Sequence, residues 1–174
     1  MKLIEQILDK GNVRTALEKG IANKGAAGID GMKVEELRDY MNANWSSIKK
    51  SILERNYKPA PVRRVEIPKP NGGVRKLGTP TVVDRALQQS IVQVLTPIFE
   101  VEFQENCYGF RPGRSCEQVI LKLMEYLNEG YEWIVDIDLE KFFDNVPQDR
   151  LMSYIGRVIQ APDTKSLIRK FLKS

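Results

Sequence analysis

The sequence predicts an α+β fold, a helix-rich body interrupted by one β-hairpin and one further strand. Three observations predict it. Apolar residues recur at helical spacing through most of 3–55, 82–96 and 115–127. Residues 62–78 alternate on either side of the turn sequence Pro70-Asn71-Gly72-Gly73. Trp133, Val135, Ile137 and Leu139 alternate with Ile134, Asp136 and Asp138.

In chain order, Leu3, Ile4, Ile7 and Leu8, then Ala16, Leu17 and Ile21, predict two helical stretches with a break at Gly11-Asn12. Residues 23–31, NKGAAGIDG, are a small-residue loop. From Val34 to Arg55 one or two helices carry Leu37, Tyr40, Met41, Trp45, Ile48 and Ile52 on the apolar side. Pro59 and Pro61 forbid helix and make 57–61 extended. The hairpin follows, and Pro80-Thr81 then opens a helix that should run to Thr96-Pro97. Ser115 is the N-cap of a helix with Val119, Ile120, Leu123, Met124 and Leu127 inside. A strand is expected over 132–138, and from Gln148 the pattern is helical again.

The chain has 174 residues, of which 42% are hydrophobic, enough to bury a core. Its net charge of +4 permits a polyanionic partner without requiring one. Seven Lys/Arg fall between Arg55 and Lys76 against one acid, Glu66, which makes either a solvated face or a basic patch. The absence of histidine excludes imidazole acid–base catalysis and His-ligated zinc. Cys107 and Cys116 are too few for a metal cluster and read as reduced thiols. The N-terminus lacks a signal-peptide core, and no stretch approaches the ~20 apolar residues that cross a membrane. A soluble, cytoplasmic, bacterial-type protein without a membrane partner is expected.

Alternation puts Asp136 and Asp138 on the face opposite an all-apolar one. Such acids are solvated at a sheet edge, paired with Lys or Arg, or bound to a cation. Asp138 lies at the strand end, where its carboxylate and a free backbone carbonyl can sit together on a hard metal ion. Phe143, five residues on, can return over that site as a flat wall, whereas Phe142 reads as core.

Lys69 and Arg75 stand on opposite arms of the glycine turn, and two convergent cations suit a triphosphate. CYGFRPGRS at 107–115 adds Arg111 and Arg114 just before a helix start, a second phosphate-friendly stretch. The loop at 23–31 either connects two helices plainly or lets backbone approach a nucleic-acid strand closely.

These segments, GAAGIDG (25–31), YKPAPVRRVEIPKPNGGVRKLGTPTVVDRALQQ (57–89), YGFRPGRS (108–115) and DIDLEKFFD (136–144), occur in a known order. In them the chain resembles the reverse transcriptase domain of group II intron-encoded proteins, the maturases. The resemblance implies a right-hand polymerase fold, with fingers over 1–80, the first part of the palm over 81–144 and a second fingers segment from 145. It implies copying of RNA into DNA with two Mg²⁺ ions, for which Mn²⁺ can substitute. The implied partners are intron RNA, an RNA template with a DNA primer, and dNTPs.

Residue by residue, Asp138 matches the catalytic first palm aspartate that holds both metals, and the Leu139 carbonyl joins one of them. Phe143 matches the aromatic gate under the sugar. Lys69 and Arg75 match the triphosphate-holding residues of the fingers. Arg63, Arg111 and Arg114 would handle template phosphate or the templating base. Gly25, Ala26, Ala27 and Gly28 match a loop that lies along the template.

Two departures stand out. No Asp-Asp pair occurs in the chain; after Asp138 come only Asp144, Asp149 and Asp163, outside the aromatic-Ala-Asp-Asp context that completes the family's metal site. Gln148 stands where the family often has histidine. The expectation is therefore fingers plus a partial palm, inactive in isolation. Its unfinished sheet edge should invite self-association. Competing readings are a non-catalytic RNA-binding module that assists splicing, and an unrelated metal nuclease.

Overall fold

The computed structural model describes residues 1–70, 72–139 and 141–174. Its elements are α1 (Leu3–Ile7), α2 (Lys10–Ala22), a 3-10 turn (Val34–Glu36), α3 (Leu37–Leu53), β1 (Arg63–Pro68), β2 (Val74–Thr79), α4 (Val82–Glu100), α5 (Cys116–Asn128), α6 (Phe142–Asn145), α7 (Gln148–Val158) and α8 (Pro162–Leu172).

The first helical break falls at Leu8-Asp9, ahead of the expected Gly11-Asn12. Asp9 caps α2, its carboxylate accepting from the amides of Gly11 and Asn12. Asn12 is instead a pin. Its side-chain amide donates to the Ile7 and Ser90 carbonyls at 2.9 Å each, and Gln93 donates to its side-chain oxygen at 2.7 Å, tying α2 to α4. The helix α4 also runs past its expected end, with Pro97 inside it. A proline removes only one helical amide, and here that loss falls in the last turn.

The core lies between α1–α4 and α8. Ile7, Leu8, Leu37, Val82 and Leu87 are its largest fully buried apolar side chains, and Leu167 of α8 joins them. Each such burial is worth ~1.5–3 kcal/mol. The last helix thus returns to the first. Arg55 pairs with Asp163 through its Nε at 2.6 Å, and Lys170 Nζ donates to the carbonyls of Arg55 and Tyr57. Gln148 has a local structural task, donating to the Leu172 carbonyl at the end of α8.

The strand expected at 132–138 is absent among the described residues, where β1 and β2 form the one sheet. A strand exists only in a hydrogen-bonded ladder, and no neighbour pairs with this segment. Its apolar face is consequently bare, Trp133 being 93% exposed. The helix α5 shares that condition and buries no residue.

Candidate nucleic-acid interface

The hairpin β1–β2 is antiparallel, with Arg63 opposite Thr79, Val65 opposite Leu77 and Ile67 opposite Arg75. The turn closes through Lys69 and Gly73, the Lys69 amide donating to the Gly73 carbonyl at 3.0 Å. Gly72 and Gly73 both have positive φ, which explains the glycine pair. Side chains alternate, so Arg63, Arg75 and, by extension, Lys69 share one face with Val65, Ile67 and Leu77 between them. The three cations are exposed, and none takes part in an ion pair among the described residues.

At the hairpin's root lies Asp84, 2% exposed. Its carboxylate accepts from the Tyr57 hydroxyl at 2.7 Å, the Ala60 amide at 3.0 Å and the Thr81 hydroxyl at 2.8 Å. Burial, with Asp84 alongside, pushes the Tyr57 phenol well above its ordinary value. Asp84 is absent from the residues singled out in the sequence. Its legible signal was Thr81-x-x-Asp84, a capping pattern at the start of an apolar run.

The loop 25–31 docks on the same helix start. The Arg85 guanidinium donates to the Ala26 carbonyl at 2.8 Å. A Cβ on Gly25 would come within 2.5 Å of that guanidinium, and one on Gly28 within 2.6 Å of the Thr81 backbone. Gly28 is therefore required by a backbone contact within the protein, whereas the obstacle at Gly25 is the movable end of the Arg85 side chain. A cavity of about 360 Å³ lies beside the loop, between Lys19, Asn23, Gly25, Arg85 and Gln88.

Arg111 is not the free cation its context suggests. Its side chain is 7% exposed and its guanidinium pairs with Glu100 at 2.8 Å. It also donates to the carbonyls of Gln104 at 2.7 Å and Cys107 at 2.8 Å, and lies over the Phe103 ring. The Glu100 hydrogen bond, above all, raises its pKa further. With most of its donors taken inside, Arg111 holds the 104–111 segment in place. Arg114 stacks over Tyr108 at 5.2 Å with no ion pair among the described residues.

Asp136, Asp138 and Leu139 lie exposed in the 131–139 segment, which has no regular secondary structure, and Asp138 makes no hydrogen bond or ion pair among the described residues. Lys141, with a left-handed φ of 50°, stands at the N-cap of α6. Phe143 is 87% exposed and meets Phe142 edge-on. The Asp138 carboxylate and Leu139 carbonyl are hard oxygen donors, which fit Mg²⁺ in kind. They fall short in number, for no three metal-ligating side chains come together among the described residues. Among the described residues, no hydrogen bond or ion pair joins Asp138 or Phe143 to the hairpin.

A sequence model described as reverse transcriptase (RNA-dependent DNA polymerase) matches residues 67–174, which take in the second hairpin strand, Arg75 and Asp138. The chain belongs to this family. Among its relatives, Protein YkfC of Escherichia coli K12 is 33% identical over 88% of this chain and 42% of its own length. The group II intron-encoded protein LtrA of Lactococcus lactis is 34% identical over 88% of this chain and 25% of its own. A putative COX1/OXI3 intron 2 protein of Saccharomyces cerevisiae is 31% identical over 90% and 18%. The chain thus spans less than half the length of each of these relatives. Two of them are intron proteins by name, in agreement with the maturase resemblance. A solved partial Cas6-RT-Cas1–Cas2 complex aligns over 97% of this chain and 28% of its own, at 20% identity and a TM-score of 0.58, a likeness of fold. No helix among the described residues is long and apolar enough to cross a membrane.

Proposed function

We propose that residues 1–174 form the nucleotide- and template-handling part of an RNA-directed DNA polymerase of the group II intron maturase type, acting in the cytoplasm. Membership in the reverse transcriptase family carries this reading. The hairpin register supports it, since Arg63, Lys69 and Arg75 line one open face.

In this reading Lys69 and Arg75 grip the triphosphate of an incoming dNTP, a point charge and a planar fork on one polyanion. Phe143 reads the sugar by shape, excluding a 2′-hydroxyl. Arg63 and Arg114 follow template phosphate, and Gly25, Ala26, Ala27 and Gly28 present the loop along the template. Asp138 and the Leu139 carbonyl would hold Mg²⁺, which when bound supplies charge stabilisation for nucleotidyl transfer. The rest of the donor set must come from outside these residues, so residues 1–174 alone do not extend a primer.

Primer extension on an RNA template tests this. A longer chain that includes an Asp-Asp motif should extend, and Asp138→Ala should lower the rate by orders of magnitude. Near-normal rates in that variant would end the metal assignment, and unchanged dNTP/rNTP selectivity in Phe143→Ala would end the gate.

The open basic hairpin favours a second reading, an RNA-binding module that assists intron splicing without catalysis. Intron RNA affinity should then fall steeply with salt. Arg63→Ala, Lys69→Ala and Arg75→Ala should each reduce the slope by roughly 1.

A further inference from the structure

We propose that Asp84 is the positioning residue of the hairpin, setting the direction in which Lys69 and Arg75 are held toward a triphosphate. The inference rests on the nucleotide-binding reading of that hairpin.

The hairpin is an exposed two-stranded ribbon, and among the described residues no hydrogen bond joins 63–79 to another element. A ribbon exposed along most of its length has no polar tie there to orient it. Its direction is set where its two legs enter the helical lobe. Asp84 sits there, and its carboxylate bonds both legs. The incoming leg contributes the Tyr57 hydroxyl and the Ala60 amide, the outgoing leg the Thr81 hydroxyl.

Capping alone does not account for this arrangement. The capping bond is the Asp84 amide to the Thr81 hydroxyl oxygen at 3.1 Å, which needs no acid at position 84. The carboxylate makes three further bonds, two of them to residues more than twenty positions away. It is presented by α4, whose Val83, Ala86 and Leu87 are buried around it, so the anchor itself is rigid. From the other side Lys170 Nζ donates to the Tyr57 carbonyl at 2.9 Å, and the Phe171 ring meets Tyr57 at 6.2 Å. The incoming leg is thus gripped between α4 and α8.

Three donors converge on the carboxylate, and a carboxylate only accepts. Asp84→Asn keeps the shape but turns an N–H₂ toward one of those donors. Substitution there should loosen the legs without emptying the core.

The test uses the 174-residue chain with Cys107→Ser and Cys116→Ser, diluted with unlabelled chain so that only distances within one chain are read, and nitroxide labels at Asn42→Cys on α3 and Lys76→Cys on β2. Pulsed electron spin resonance reads the distance distribution, and calorimetry reads tripolyphosphate affinity at low salt. The unsubstituted parent should give one narrow distribution. Asp84→Asn should at least double its width and weaken tripolyphosphate binding at least fivefold, with helical circular dichroism unchanged. A folded Asp84→Asn variant with the parental distribution overturns the proposal and leaves Asp84 a stability residue. If that variant does not fold, Tyr57→Phe decides: broadening supports the proposal and an unchanged width overturns it. If the parent binds no tripolyphosphate, the nucleotide reading of the hairpin fails, while the distances still decide whether Asp84 orients it.

Discussion

Gly28 lies directly against the backbone of Thr81, so close that a Cβ there would stand 2.6 Å from the Thr81 Cα and 2.8 Å from its nitrogen. Those atoms begin α4 and cannot swing aside as a side chain can. Gly28→Ala should therefore push the loop off the helix start and destabilise the chain by ~1–3 kcal/mol, the usual cost of overpacking. Urea unfolding measures it. Gly25→Ala should cost less, because its obstacle is the flexible end of Arg85.

Arg111 joins Glu100, Gln104 and Cys107 through one planar fork. Lysine keeps the charge but cannot reproduce that geometry. Arg111→Lys should loosen the 104–114 segment nearly as much as Arg111→Ala. Hydrogen exchange by mass spectrometry should show faster exchange there in both variants and no change in α2.

The raised phenol of Tyr57 implies an alkaline limit. Its ordinary value is 10.0, and in the folded chain it lies well above that. Below the ordinary value both folded and unfolded states hold the proton, and the contribution is complete. As pH rises past it the unfolded state ionises first, and stability is lost until the folded value is reached. Relative to Tyr57→Phe, the unsubstituted chain should lose up to ~1.4 kcal/mol per pH unit above about pH 10. Parallel pH profiles for the two proteins would remove Tyr57 as the cause.

The bare faces of α5 and 133–139 carry Ile120, Leu121, Met124, Trp133, Val135 and Ile137, all exposed. Large apolar side chains exposed in this number mark an interaction site or an aggregation hazard. The 174-residue chain is expected to self-associate through this surface, and Ile120→Glu with Val135→Glu should reverse it. Sedimentation velocity at rising concentration checks this; a monomer throughout would remove the expectation.

Local chemistry was readable from residue types. Ser115 caps α5 as expected, and Gly72 and Gly73 take the positive φ of the expected turn, whose Asn71 lies outside the described residues. The cation set Arg63, Lys69 and Arg75 follows from alternation on a hairpin whose turn is written in glycine and proline. Asp9 was missed as a cap because Gly11 is the louder helix breaker, although a capping carboxylate stabilises a helix that can carry glycine in its first turn.

Period and turn chemistry are short-range, acting over four or five neighbours, and they reach the sequence reader directly. That range covers the helices, the hairpin and its register. Asp84 gathering Tyr57, Ala60 and Thr81, Arg111 withdrawn into Glu100, and the glycines of 25–28 pressed on α4 depend on which elements meet. The alternating 133–139 segment makes the same point in reverse. Its pattern is that of a strand, yet a ladder needs a neighbour's carbonyls and amides, and pairing is a property of two segments rather than one.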